Sequence, residues 1–444
     1  MIKMIVHLEF FRQNLGSKKK SQKKCKMQLT LKTILNAKES HPLFVYRDIR
    51  LVEKDNSYTI EVTVHPRKKS KGICSKCEKS CSGYDTLPLR IFRHVPIYGI
   101  SVEYHYRMRR VSCQNCGIVV ETVPWSDGKS PITIGYAWFL SEWVKLLSIE
   151  EVARRFKASW HLVFTAVAMA VTWGRERVDL SNINAIGVDE IYWAKNKFMT
   201  MVYQIDNHCK RLIWCGEART EKTITDFFDW FGEERNCLLK FVCSDMWKPY
   251  LKVISSRAKN ALNILDRFHI SQKLGEAIDQ VRAAEVKSLL KKGKNVILRK
   301  SRYCLLKNPE NLTDGQKVKL KELLACNLKS IRAYLLKEDF KNFWQYESVT
   351  WAGKFLDKWC TQVMHSKIEP MKKVAKTIRS HKDLILNWFA AKDQISLGAV
   401  EGQNNKAKVV IRKSYGFRKA EMLKIMLYHK VGRLPVHEIA HKYF

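Results

Sequence analysis

The chain has 444 residues, 46% apolar and 28% charged, a globular composition with room for two or three domains and sizeable cores. Eighty Lys and Arg against 43 Asp and Glu leave a net charge of +37, a self-repulsion that calls for a polyanion; nucleic acid is the expected partner, and a small-molecule substrate is not. No apolar run reaches the roughly 18 residues a bilayer span needs, so no membrane role is expected. Thirteen cysteines without a signal-peptide pattern read as reduced thiols of a cytoplasmic protein, with the clustered ones as metal ligands.

Residues 1–26 end in a Lys-rich run and read as a disordered basic tail: either a DNA-contacting arm or upstream sequence, with Met27 the natural start. Globular character begins near Leu29. Tyr58, Ile60, Val62 and Val64 alternate with Thr59, Glu61 and Thr63, the period of a strand. Cys74-Ser-Lys-Cys77 and Cys113-Gln-Asn-Cys116 are two knuckles, each able to offer two thiolates to one tetrahedral Zn²⁺. The 35 residues between them exceed zinc-ribbon spacing and imply a β insertion, since Val102, Tyr104, Tyr106 and Met108 also alternate. Cys81, His94 and His105 are possible substitute ligands. This β-rich module is assigned to residues 27–126.

Residues 132–180 read as a helix-turn-helix. Ser148 and Glu151 form a capping box for one short helix, and Ser159 caps a second that carries Leu162, Val163 and Val167. Ser159, Trp160, His161 and Thr165 are the DNA-facing candidates on that second helix. The turn between the two lacks the glycine often found there.

Next come three strands (184–193, 198–206, 211–215), a helix (223–231), a strand ending at Asp245, a helix (247–256) and a short strand into Asp266-Arg-Phe-His269. This is the ribonuclease-H-like order, with Asp189 on its first strand and Asp245 at the end of its fourth; residues 181–269 form its first part. From 270 to 392 the period is helical. Leu320, Leu324, Leu328, Ile331 and Leu335 trace one face, and the tryptophans are expected in the core; the stretch reads as an all-helical insertion. Residues 393–444 close the catalytic fold with a helix after Ser396. On it Glu401, Asn404, Asn405, Lys408 and Arg412 share a stripe, suited to metal first and phosphate backbone next; Lys406 and Arg418 are further phosphate candidates. The whole is a multidomain α+β protein.

Asp189, Asp245 and Glu401 are what a pair of hard divalent cations, Mg²⁺ or Mn²⁺, needs to work on phosphodiesters. Asp189 is expected to bridge the two ions, with Asp245 and Glu401 each completing one; without cations the acids should be poorly ordered. Glu190 is a weaker candidate. Asp266 is either a supplementary ligand, an orienter of His269, or a helix cap.

Taken together, the two knuckles, Ala153-Arg-Arg-Phe-Lys-Ala-Ser-Trp, Gly187-Val-Asp-Glu, Ser244-Asp-Met, Asp266-Arg-Phe-His, Glu401-Gly-Gln-Asn-Asn-Lys and Tyr415-Gly-Phe-Arg resemble the ISL-three family of bacterial insertion-sequence transposases, from about Met27 onward. The resemblance implies a DDE transposase that binds terminal inverted repeats and target DNA, with the triad on Asp189, Asp245 and Glu401. Asp245 follows Asp189 by 56 positions and Glu401 follows Asp245 by 156, the longer gap holding the helical insertion. Synapsis of two ends points to a homodimer or larger assembly, on the nucleoid when DNA is bound. The competing readings are a transposase-derived DNA-binding regulator without catalysis and a ribonuclease-H-like nuclease; a tyrosine recombinase would have to rely on Tyr415.

Overall fold

The computed structural model describes residues 29–443 apart from Asp55, 294–296, Asp393, Ser396 and Leu397. The basic tail, Met27 and Ser396 therefore lie outside the described residues. The chain clusters into two compact units, one of residues up to Tyr136 with the extreme C-terminus from Lys442, the other Ala137–His441.

The first unit begins with α1 (Leu31–Lys38), capped by Thr30. Six strands follow: β1 (Phe44–Lys54), β2 (Ser57–Pro66), β3 (Gly72–Cys74), β4 (Ser80–Ile97), β5 (Ile100–Cys113) and β6 (Gly117–Thr122). They form one sheet in the order β1-β2-β5-β4-β3-β6, with β5 also paired to β6. The alternation seen in the sequence sets the inner face, burying Ile60, Val62 and Val64 of β2 and Val102, Tyr104, Tyr106 and Met108 of β5. Trp125, 1% exposed, receives the rings of Phe44, Tyr106 and Phe92 edge-on at centroid distances of 4.8, 5.3 and 6.2 Å. Edge-to-face pairs of this kind add to the area term. The long β4–β5 hairpin is the β insertion between the knuckles.

The second unit opens with α2 (Ile134–Leu146), which begins at the unit boundary, then α3 (Ile149–Arg155) and α4 (Trp160–Arg177). Ser148 and Glu151 make the capping box of α3, and Ser159 accepts from Leu162 N–H to cap α4. The tight turn is made without glycine: Lys157 itself takes φ 47°, the left-handed region that an L residue enters at some cost.

Next are β7 (Ala185–Ala194), β8 (Lys197–Gln204), β9 (Arg211–Glu217), α5 (Glu221–Phe231), α6 (Glu233–Leu238), β10 (Phe241–Ser244), α7 (Lys248–Arg257) and β11 (Leu262–Leu265). The five strands form a mixed sheet in the order β11-β10-β7-β8-β9. The β7–β8 and β8–β9 pairs are antiparallel, while β10 runs parallel to both β7 and β11. Ile224, Phe227, Phe228 and Phe231 of α5 pack on Ile186, Val188 and Val242 and on Tyr250 of α7, the apolar stripe of an amphipathic helix laid on a sheet.

A helical region follows: α8 (Arg267–Lys291), α9 (Arg302–Leu306), α10 (Asp314–Leu324), α11 (Lys329–Phe340), α12 (Val349–His365), α13 (Glu369–Ser380) and α14 (Lys382–Ala391). The leucine stripe expected between Leu320 and Leu335 is not one face. The chain breaks between α10 and α11, Leu328 becomes the N-cap of α11, and Leu324 and Leu335 are about half exposed. Trp344, Trp359 and Trp388 are buried, but Trp351 is 60% exposed with Lys354 over its ring. The chain ends in α15 (Ala399–Lys413) and α16 (Ala420–Val431).

Candidate functional site

Two chemically different sites take shape, one in each unit. In the β-rich unit, one ligand atom from each of Cys74, Cys77, Cys113 and Cys116 lies within 4.8 Å of the others. The knuckle backbone prepares them. Amide hydrogen bonds, from Lys76 to Cys74 and from Asn115 to Cys113, are the largest influences lowering these two thiols, Cys113 to about 6. Amides that stabilise thiolates make metal ligands. The proposed substitutes do not join the set. Cys81 packs beside the cluster, His94 is buried with its Nδ1 2.9 Å from the Thr133 hydroxyl, and His105 lies 3.3 Å from Glu103. Glu61, Glu103 and His105 form the one other such group among the described residues, but Lys54 sits between the two glutamates at 2.6 and 3.3 Å. That group already has its cation.

In the second unit the acids gather where the parallel strands end. Asp189 is held by three elements. Its Oδ1 accepts the Glu190 amide at 2.8 Å, Asn404 Nδ2 of α15 donates to its Oδ2, and His269 Nε2 of α8 lies 3.8 Å from Oδ1. The carboxylate is the largest influence raising His269 above the usual histidine range. Asn404 is itself oriented, its Oδ1 accepting from Tyr203 OH at 2.6 Å. Gly187 makes this approach possible: a Cβ there would collide with Val400 of α15, so only glycine lets the helix lie on β7.

Asp245, just past β10, is held differently. Its Oδ1 accepts the Trp247 amide at 2.7 Å and its Oδ2 accepts from Arg219 at 2.5 Å. The same guanidinium reaches Glu190 Oε1 at 3.0 Å and stacks 4.8 Å from the Trp247 ring centre. Burial pushes Glu190 up to about 7, against the pull of Arg219. Asp266 caps α8, accepting from Phe268 N–H at 2.8 Å. Burial raises its pKa, and the charges of Asp189 and Glu401 add to the rise. Glu401 is exposed on the first turn of α15. It borders, with Asp266, a cavity of about 1370 Å³ lined by α8, α11 and α15.

Asp189, Asp245 and Asp266 thus all act on His269, Asp266 and Glu401 border one cavity, and Asp245 is paired with Arg219. Among the described residues, Asp189, Asp245 and Glu401 do not close into a set within 4.8 Å. Arginine, histidine and amide donors occupy Asp189 and Asp245. The stripe on α15 also divides. Asn404 is 4% exposed and turned to Asp189, not outward toward DNA, because its position falls on the face that buries Val400, Gln403, Ala407 and Val410. Asn405, Lys406, Lys408 and Arg412 are exposed, as is Arg418 beyond the helix. On α4, His161 and Thr165 are exposed, while Trp160 stacks on Phe164 at 5.3 Å and Ser159 serves as the cap. Sequence reasoning missed Arg219 entirely. A lone arginine after a strand carries no periodicity, and its partners lie 29 residues before and 26 after it.

Comparison with known proteins gives the class, a phosphodiester-cleaving enzyme of the DDE type. A family model described as transposase, DDE_Tnp_ISL3, matches residues 186–427, more than half of the chain. The chain is 28% identical over 372 residues to the transposase for insertion sequence element IS1001 of Bordetella parapertussis, covering 83% of this chain and 90% of that one. It is 27% identical over 407 residues to the transposase for insertion sequence element IS1557 of Mycobacterium tuberculosis, covering 85% and 90%. The chain belongs to the ISL-three family and is the transposase of an insertion sequence. Such enzymes act on DNA, and the family implies divalent metals. No helix among the described residues is long and apolar enough to cross a membrane.

Proposed function

We propose that Asp189, Asp245 and Glu401 are the catalytic acids, that they hold two Mg²⁺ or Mn²⁺ ions with Asp266 as a supplementary ligand, and that the four cysteines hold one structural Zn²⁺. The donor chemistry supports each assignment. The cleft offers carboxylate oxygens, which suit hard cations; the knuckles offer four clustered sulfurs, those of Cys74 and Cys113 primed by backbone amides, which suit zinc. The strand order of the second sheet, with Asp189 on its central strand and Asp245 after the adjacent parallel one, supports a ribonuclease-H-like catalytic fold interrupted by the helical region. Bound divalent cations would activate water and stabilise the charge that develops in an in-line displacement at phosphorus.

The chain's own residues do the rest. Asn404 and His269 orient the Asp189 carboxylate. The exposed Asn405, Lys406, Lys408, Arg412 and Arg418 lie along or just beyond the helix that carries Glu401, where they can contact DNA phosphates. The pair α3 and α4 serves as a helix-turn-helix, with Trp160, His161 and Thr165 near the N-terminus of its second helix for reading terminal repeats. Strand cleavage and strand transfer take place on double-stranded DNA in the bacterial cytoplasm, within a dimer or larger assembly. The observation that carries this reading is His269, which lies 3.8 Å from Asp189 and shares a small cavity with Asp245, beside Asp266, which borders the larger cavity with Glu401.

A cleavage and strand-transfer assay on the element's own terminal DNA tests it. Asp189→Ala and Glu401→Ala should each lower cleavage by about a thousandfold or more, the loss of several kcal/mol of charge stabilisation, with end binding retained. Cleavage surviving both substitutions removes the triad. Binding without any cleavage by the unsubstituted protein favours a DNA-binding regulator.

A further inference from the structure

The acids of the cleft are not equivalent in what holds them. Asp189 is engaged by a neutral amide, a backbone N–H and a histidine. Asp245 is engaged by a permanent cation. Arg219 spans Asp245 Oδ2 at 2.5 Å and Glu190 Oε1 at 3.0 Å, so one guanidinium neutralises the oxygen that a divalent cation would need. Arg219 is also the cation best placed to leave. Its side chain is 34% exposed, and it rests on the flat Trp247 ring, over which a guanidinium can slide without losing its packing. It opens on a small cavity of about 190 Å³ that it shares with Asp245, His269, Gln272, Lys273 and Glu276. A phosphate drawn there by Lys273 and His269 would meet a fork matched to two of its oxygens.

We propose that Arg219 is a positioning residue that gates Asp245: in the DNA-free chain it occupies the carboxylate, and a DNA phosphate draws it off, freeing Asp245 for the cation. The inference rests on Asp245 being a metal ligand, as proposed above. It makes metal binding and DNA binding mutually reinforcing, with the coupling carried by one side chain.

The test is Mn²⁺ binding to the full-length, zinc-loaded protein, followed by the electron paramagnetic resonance signal of free Mn²⁺, with and without a short DNA duplex. A duplex should tighten Mn²⁺ binding by the unsubstituted protein about tenfold, within the usual range of coupling between sites. Arg219→Gln should bind Mn²⁺ about tenfold more tightly without DNA and gain little from the duplex. Arg219→Lys, whose single ammonium cannot span Glu190 and Asp245, should fall between the two; it serves as the test if thermal melting shows the glutamine variant unfolded. Unchanged DNA-free affinity in a folded Arg219 variant overturns the gate. Asp245→Asn separates the two ideas. If it weakens Mn²⁺ binding in the presence of duplex while the Arg219 variants behave as the unsubstituted protein, only the gate is wrong. If it changes nothing in either condition, the metal role of Asp245 fails and the gate fails with it.

Discussion

The thiol cluster and the acidic cleft are two ways of bringing like ligands together. The four sulfurs come from two tight knuckles at the ends of neighbouring strands, all within 43 residues of chain. Each knuckle supplies its own amide donors, so the site is complete in one small unit. The acids come from β7, the end of β10 and α15, across more than 200 residues. Asp189 and Asp245 each have a different borrowed partner, Asn404 and Arg219, while Glu401 borders the open cavity. A structural site can be built locally and closed, whereas a catalytic site must be held open from several sides.

The sharpest way to break this comparison is to remove metal from the closed site. Chelation, or Cys113→Ser, should abolish the cooperative melting of the β-rich unit, because binding free energy in such sites is folding free energy. Calorimetry with zinc analysis checks it; unchanged melting in a protein that carries no zinc would sink the assignment.

Next in size is Glu121, the buried anchor of the same unit. Its carboxylate accepts from Tyr106 OH at 2.6 Å and from the Arg109 amide and Nε at 2.8 and 2.9 Å. Glu121→Ala strands the guanidinium and should cost about 3–5 kcal/mol, read from urea unfolding.

In the open site, Asn404→Ala removes the orienter of Asp189. Cleavage should fall about 10–100-fold, the usual cost of losing a partner of a metal-ligating residue, with DNA binding unchanged. Gly187→Ala, which drives β7 and α15 apart, should have the same sign. Full activity in both would show that Asp189 needs no support.

A last effect is the pH dependence of the β-rich unit. Burial lowers His94 to about 3 and His41 to about 4. The unfolded chain then takes up protons near pH 6.5 that the folded chain refuses. Stability should be full above that value and fall as pH drops toward 4. Between pH 7.5 and 5 the loss should be on the order of 1–2 kcal/mol per histidine. Melting temperatures that do not fall over that interval would show that the histidines become charged in place.

Much of this was legible in the residues because it is local. Period-two alternation marks strands, Ser148 and Ser159 mark helix starts, and CxxC spacing alone prescribes a knuckle. The order of strands and helices around Asp189 and Asp245 also follows from local pattern, since each element carries its own hydrophobic period. The leucines from 320 to 335 mislead because a period of three and four persists across the break between α10 and α11, which pack on different helices, α9 and α8.

Sequence by itself determined the ligand types, the two knuckles, the succession of elements and, through their motifs together, the family. Only the tertiary structure decided which face of α15 is buried, turning Asn404 from the DNA stripe toward Asp189, and that Arg219 stands between Glu190 and Asp245. The physical reason is range. Periodicity and capping act over a few residues of backbone, while charge pairing and the close approach at Gly187 act through space. They join residues that no local pattern relates.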